Sequence, residues 1–475
     1  MMTRILLLPV CLLLVIGSIA QQPWDLQKCV DYALANNISV RQADLQSRFS
    51  TLALKQGKAA QLPTLSFSSN AGYRFGLSEN PTTGILENNK FFNVGLQMQS
   101  QVTLFNWFAI RNNIEANRLT LEADKEQTKK GQNDVALNVA VAYLQILLAH
   151  EQVNVAEIQV KQTSAQLEST RKQVDAGKLP ELNAAQLESQ LANDSSALIT
   201  AQASAQQFIL QLKALLNLDA GSPFAVVTPP VAQIPVKPLA ELEPEAVYAS
   251  AMANLPQQKV NQLRIESAEQ SVKVAKAGLM PTIAAFGGLG TSYVNLKRPI
   301  TSVGPKSPTG ATVTVGGTDY SVDAPRTIII GEEVTPMGRQ FRTNFGQNIG
   351  IGLSVPIFNG RQSRTAWERS KLTLQNLQLT KEQGDMQLKQ DIYKAHVDAT
   401  AAIQKFYANQ KATATAQKAY DFAQKRYEQG LLSTYDLLNS QNALLTAKTQ
   451  LLYAQFDYVF KMKLLEFYRG QGLSL

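Results

Sequence analysis

The sequence predicts a mixed α and β membrane protein in which long helices accompany a few strands, and copies of the chain share one β-barrel. Three observations predict it. The second half repeats the order of the first, two runs alternate polar and apolar residues in steps of two, and two very long stretches contain no proline. Each restricts the fold more than any single residue could.

The repeat comes first. Ala33-Leu34-Ala35-Asn36-Asn37 recurs as Ala251-Met252-Ala253-Asn254-Leu255, and Leu62-Pro63-Thr64 as Met280-Pro281-Thr282, both 218 positions on. Leu104-Phe105-Asn106 recurs as Ile357-Phe358-Asn359, and Gly177-Lys178-Leu179 as Gly430-Leu431-Leu432, both 253 positions on. The two offsets differ by 35, which places an insertion in the second copy between Pro281 and Phe358. The expected organisation is a signal peptide at 1–20, a first repeat at 21–218, a proline-rich linker at 219–242 and a second repeat at 243–475. Pro223, Pro229, Pro230, Pro235 and Pro238 make the linker an extended strap.

The N-terminus reads as a cleaved secretory signal. Arg4 precedes a mostly apolar run from Ile5 to Ile16, and Ser18-Ile19-Ala20 supplies small residues before Gln21. That run is shorter than the roughly 20 residues a spanning helix needs. Cleavage removes Cys11 and leaves Cys29 alone, expected as a small buried apolar residue rather than half of a disulfide. A protein that passes one membrane and then integrates into another without an apolar helix must do so with strands. The formal charge of +8 is spread along helices among Gln and Glu without a basic cluster, which argues against nucleic-acid binding.

Two strand runs are clear. Asn93, Gly95, Gln97, Gln99, Gln101 and Thr103 alternate with Val94, Leu96, Met98, Ser100, Val102 and Leu104. In the second copy Asn344, Gly346, Asn348, Gly350, Gly352 and Ser354 alternate with Phe345, Gln347, Ile349, Ile351, Leu353 and Val355. One wet and one apolar face per run suits a barrel wall, and about 9–11 tilted residues cross an outer membrane. Their partners are expected at Leu62–Phe75 and Met280–Asn295, with Phe91, Phe92, Phe105, Trp107, Phe108 and Phe358 suited to the lipid–water boundary. Four strands cannot close a barrel, since the smallest need about eight, so several copies must share one. The insertion, around Pro299–Arg342, reads as a Gly-, Thr-, Ser- and Pro-rich connecting loop.

The helices follow. Asn106 to Gly177 and Asn359 to Gly430 cover the same 71 positions without a proline. At about 1.5 Å per residue, each reaches roughly 105 Å. In the last helix Leu438, Leu445, Leu452 and Val459 keep a seven-residue step of the coiled-coil type. Return helices are expected at Pro180–Leu218 and Ser433–Gly470, and leading helices at Leu26–Gln61 and Glu243–Gly278.

Nothing in the sequence assembles a catalytic or metal-binding constellation. His150 and His396 occupy non-equivalent positions, and with one cysteine they cannot make a conventional zinc site. Gly177-Lys178 lacks the glycine spacing of a phosphate loop, and Gly287-Gly288-Leu289-Gly290 lies in a strand-like run where glycine permits close packing. No enzyme activity and no cofactor are expected.

Trp24-Asp25-Leu26-Gln27-Lys28-Cys29-Val30-Asp31-Tyr32-Ala33-Leu34-Ala35-Asn36-Asn37, Leu62-Pro63-Thr64-Leu65, Phe358-Asn359-Gly360-Arg361 and Gly430-Leu431-Leu432-Ser433-Thr434-Tyr435-Asp436-Leu437-Leu438 together resemble a known family. It is that of the bacterial outer-membrane efflux proteins, the TolC-like outer-membrane factors of tripartite export systems. The resemblance covers essentially the whole mature chain, twice. It implies a homotrimer sharing a twelve-stranded barrel in outer-membrane lipid, with a helical coiled-coil tunnel reaching into the periplasm. It also implies a passive gated exit channel working with a periplasmic adaptor and an inner-membrane transporter. The turns Gly177–Leu182 and Gly430–Tyr435 would then lie at the periplasmic tip, with Gly177, Lys178, Leu179, Gly430, Leu431, Leu432 and Ser433 meeting the adaptor. By motif position Asp436 falls on an acidic constriction residue, Asn439 stands where a second acid is expected, and Tyr427 matches a tyrosine of the closing network. Asn183 replaces that tyrosine's acidic partner and Leu432 an arginine, which implies a gate with fewer charged links. The alternative from another class is a trimeric periplasmic coiled-coil scaffold without an open channel.

Overall fold

The computed structural model describes residues 23–79, 84–228, 234 and 237–470. The expected signal peptide and part of the linker, including Pro229, Pro230 and Pro235, lie outside the described residues. The chain divides into two compact units. One comprises Leu52–Arg118 and Ser267–Leu374; the other takes in residues up to 51, Leu119–Glu266 and residues from 375 on.

The element order is duplicated. In the first copy it runs α1 (Leu26–Asn36), α2 (Ile38–Ala59), β1 (Thr64–Glu79), β2 (Leu86–Phe105), α3 (Ala109–Asp175) and α4 (Glu181–Leu216). The second copy runs α5 (Pro244–Asn254), α6 (Pro256–Ala277), β3 (Thr282–Val294), then β4 (Lys297–Val315), β5 (Thr318–Val334) and α7 (Met337–Thr343). It closes with β6 (Gly346–Ser354), α8 (Gln362–Glu428) and α9 (Thr434–Tyr468). The two long helices, α3 and α8, are 67 residues each.

Two expectations are corrected. The leading helices are broken, not continuous. Asn37 leaves the helix with ψ 132°, and its Oδ1 accepts from Ser39 N (2.9 Å) while its Nδ2 donates to the Leu215 carbonyl (2.8 Å). One side chain therefore starts α2 and ties the break to α4. In the second copy Pro256 opens α6, and the residue before it, Leu255, is extended (ψ 129°) because proline excludes the helical region there. The expected loop around 299–342 is instead a long hairpin followed by a short helix. Its turn is Gly316-Gly317, both at positive φ (62° and 84°), the backbone that a two-residue hairpin turn demands.

In the first unit β1, β2, β3 and β6 form one antiparallel sheet in the order β1-β2-β3-β6, leaving β1 and β6 as its edges. The register sorts the side chains into two faces. Ser66, Gln99, Gly288 and Asn348 lie in one cross-strand row, as do Ser68, Gln97, Gly290 and Gly346. The opposite face carries Phe67 beside Met98 and Leu289, and Ile283 beside Leu353. The apolar face is bare: Leu65 is 70 %, Phe67 64 % and Ile349 92 % exposed.

The second unit holds the helical cores. One gathers Cys29, Ala33, Val139, Tyr143, Ile146, Leu212 and Leu216. Another gathers Leu242, Val247, Ala251, Ile392, Ala399, Met462 and Leu465. The linker is not merely a strap. Trp24 and Val226 form a parallel bridge, and Lys237 N donates to Glu466 Oε1 (3.0 Å), a carboxylate buried beside Lys463 (3.0 Å).

Candidate functional site at the helix turns

Both long helices end in the same way. Gly177 takes φ 70° and donates to the Val174 carbonyl, while Lys178 N reaches back to Gln173 O (both 2.8 Å). Gly430 takes φ 71° and donates to Tyr427 O, while Leu431 N reaches Arg426 O (both 2.9 Å). The left-handed glycine lets the chain satisfy the last carbonyls and turn back within a few residues.

The helices that follow begin differently. Pro180 precedes α4 with no side-chain cap, and Asn183 N bonds to the Pro180 carbonyl (3.1 Å). Ser433 caps α9: its hydroxyl accepts from Asp436 N (3.1 Å) and donates to Asp436 Oδ2 (2.6 Å). The Asp436 carboxylate thus sits in the first turn, where the helix dipole favours it. Asp436 and Asn439 are both exposed, three residues apart on α9. Gly177, Lys178, Gly430, Leu431 and Ser433 are exposed, and Leu179, Asn183 and Leu432 half-buried.

Tyr427 is buried between the copies. Its hydroxyl lies 3.1 Å from Thr170 Oγ1 on α3 and accepts from Thr434 Oγ1 on α9 (3.3 Å). Among the described residues its partners are therefore threonines, and Asn183 is not one of them. Burial of Leu437 with Ala423 and Tyr427, and of Leu438 with Leu167, Ala184 and Leu187, holds α9 against α8 on one side and against α3 and α4 on the other.

Farther from the turns runs a buried polar chain that sequence reasoning missed. Gln441 Nε2 donates to Thr163 Oγ1 (3.1 Å), which donates to Asp194 Oδ2 (2.6 Å), while Gln190 Nε2 donates to Asp194 Oδ1 (2.8 Å). It joins α3, α4 and α9. On the surface Arg171 pairs with Glu188, whose carboxylate pushes the guanidinium pKa up further. Among the described residues no cluster of His, Cys, Asp or Glu is arranged to hold a metal ion.

Four strands with a bare apolar face, joined to long helices paired by tight glycine turns, define a chain built to contribute to a membrane-embedded wall. The chain belongs to the outer membrane efflux protein family, which it matches over residues 29–218 and 247–461. It is a protein of the outer membrane and of efflux. The outer membrane efflux protein BepC of Brucella suis is 24 % identical over 366 residues, 77 % of this chain and 69 % of that one. Among solved structures, CusC, described for its folding and transmembrane channel formation, is 17 % identical with a TM-score of 0.75, covering 94 % of this chain and 92 % of that one. The outer membrane protein VceC of Vibrio cholerae is 16 % identical with a TM-score of 0.71, covering 94 % and 97 %. At such identities these two establish the fold.

Proposed function

We propose that the chain is the outer-membrane exit channel of a tripartite efflux or type I-like secretion system, a passive gated conduit that moves substrate without transforming it. The observation that carries this reading is the sheet β1-β2-β3-β6, with one wet face, one apolar face and, among the described residues, two unpaired edges. In lipid an open edge leaves backbone groups unsatisfied at several kcal/mol each. Copies of the chain must therefore pair β6 of one with β1 of the next, and three copies give a twelve-stranded wall. The wet face, with Ser66, Gln97, Gln99 and Asn348, then lines the lumen. A coiled-coil scaffold without a channel would leave Ile349, Ile351 and Leu353 against water, a patch that soluble surfaces avoid.

On this reading the turns at Gly177–Leu179 and Gly430–Ser433 meet the periplasmic adaptor, and an inner-membrane transporter supplies the energy. Three copies of Asp436 around an axis form a ring that favours cations, and Tyr427 belongs to the contacts that hold the helix pairs closed. Detergent-extracted protein should run as a heat-modifiable trimer and conduct ions in planar bilayers. A monomer that stays in solution without detergent sinks the proposal.

A further inference from the structure

The insertion that sets the second copy apart is a hairpin held firmly at its root. Gln340 on α7, 6 % exposed, accepts from Val294 N (3.0 Å) through Oε1 and donates through Nε2 to the carbonyls of Val294 (2.9 Å) and Thr335 (2.8 Å). Thr291 Oγ1 donates to Phe341 O (2.7 Å), and Asn344 Nδ2 to Ser292 O (2.8 Å). The end of β3, the chain just past the end of β5 and α7 are thereby fixed together. A floppy connection would need none of these bonds.

β4 and β5 form their own two-stranded sheet, and among the described residues no other strand pairs with it. Val303, Val313, Val315, Tyr320, Ile329 and Ile330 on it are exposed. A two-stranded ribbon is marginal in water and needs further strands or a packed face for stability. Its two edges also differ in charge. β4 carries Lys297, Arg298 and Lys306 and no acid; β5 carries Asp319, Asp323, Glu332 and Glu333 against a single Arg326. Lys297 and Glu332 pair within the hairpin at 3.5 Å, but Arg298, Lys306, Asp323 and Glu333 make no ion pair among the described residues.

A basic edge and an acidic edge on one element suit a head-to-tail contact, the kind that closes a ring of identical subunits. We infer that the occupant of these edges is the same hairpin of the neighbouring copy, β4 of one against β5 of the next. Three hairpins then form a crown with antiparallel strand directions throughout. Pro299, Pro305 and Pro308 remove three donors from β4, so the contact is made chiefly by side chains, and the edge is a poor template for stray strands. The inference rests on the channel reading above, because it needs a cyclic assembly.

The test uses two differently tagged full-length chains expressed together, one with Lys306→Cys and the other with Asp323→Cys. After oxidation of purified, conducting trimers, the expected product is a disulfide-linked pair carrying both tags. Adding Lys306→Glu to one wild-type-cysteine background should lower heat resistance of the trimer, and Asp323→Lys on the same chain should restore it. Intact conducting trimers that give no mixed-tag product, with Lys306→Glu leaving heat resistance unchanged, overturn the crown while leaving the channel reading in place. That result would point to lipid headgroups or an external partner as the occupant. Absence of trimers altogether overturns both.

Discussion

The hydroxyls of Tyr427 and Thr170 meet at 3.1 Å, joining α8 of the second copy to α3 of the first across 257 positions of sequence. Tyr427→Phe removes the hydroxyl and leaves two threonines without their partner. A lost buried hydrogen bond costs about 1 kcal/mol, or roughly fivefold in a closed-to-open equilibrium for each subunit. The expected result is a higher open probability in bilayer recordings, with Thr170→Val acting in the same direction. Unchanged recordings from both variants would remove this pair from the gate.

In the channel proposed above Asp436 acts as a charge as well as in the cap with Ser433, and the two can be separated. Asp436→Asn keeps an oxygen for the Ser433 hydroxyl and removes the charge, so divalent-cation block should weaken while thermal stability barely moves. Ser433→Ala removes the cap at about 1 kcal/mol and should lower the melting point with block retained. If the two variants behave alike, charge and cap are not distinct here.

On the wet face of the sheet the Phe286 ring lies across Gly350 and Gly352. A Cβ added at Gly350 would come within 2.7 Å of Phe286 Cζ. Gly350→Ala should therefore destabilise by about 1–3 kcal/mol, and a second change, Phe286→Ala, should recover part of it. The temperature at which the trimer dissociates on a gel reads both.

Burial, aided by the Asp25 carboxylate, pushes the Cys29 thiol up to about 12. Cys29 should resist maleimides at pH 8 in the folded protein and react on unfolding. The sign of the linkage follows from the raised value. Stability from the buried thiol is complete below the unfolded thiol's range near 8.5 and falls as pH rises from there toward 12, by at most about 1.4 kcal/mol per pH unit. A Cys29→Ala chain should show a shallower loss in alkaline melts.

Much of this was readable in the chain. The two-residue alternation located β2 and β6 because one face is wet and the other greasy, and Gly177 and Gly430 marked the turns because only glycine enters that backbone cheaply. The hairpin was obscured by its own Pro, Gly, Ser and Thr, although Gly316-Gly317 between Val315 and Thr318 was the local signal. The break at Leu255 was announced by Pro256; the one at Asn37 depends on a bond to Leu215 that no local pattern shows. Thr170 and Thr163 stayed hidden for a similar reason, since their partners Tyr427 and Gln441 come from the second copy. Polar helices rich in Gln, Thr and Ser do not say which of these residues meets a partner from the other copy. Trp107 and Phe108 take φ 53° and 61°, matching Gly360 and Arg361 at φ 61° and 63°. Bulky side chains disfavour that backbone, so only the duplication could have suggested it.

The edge strands have a mechanical consequence. β6 has 9 residues and β1 has 16, so in the proposed assembly a joint between neighbouring subunits is zipped over no more than the shorter length, whereas β1 and β2 of one chain pair along all of β1. Heat should part such a wall along its seams first, yielding single subunits whose internal ladders are still intact.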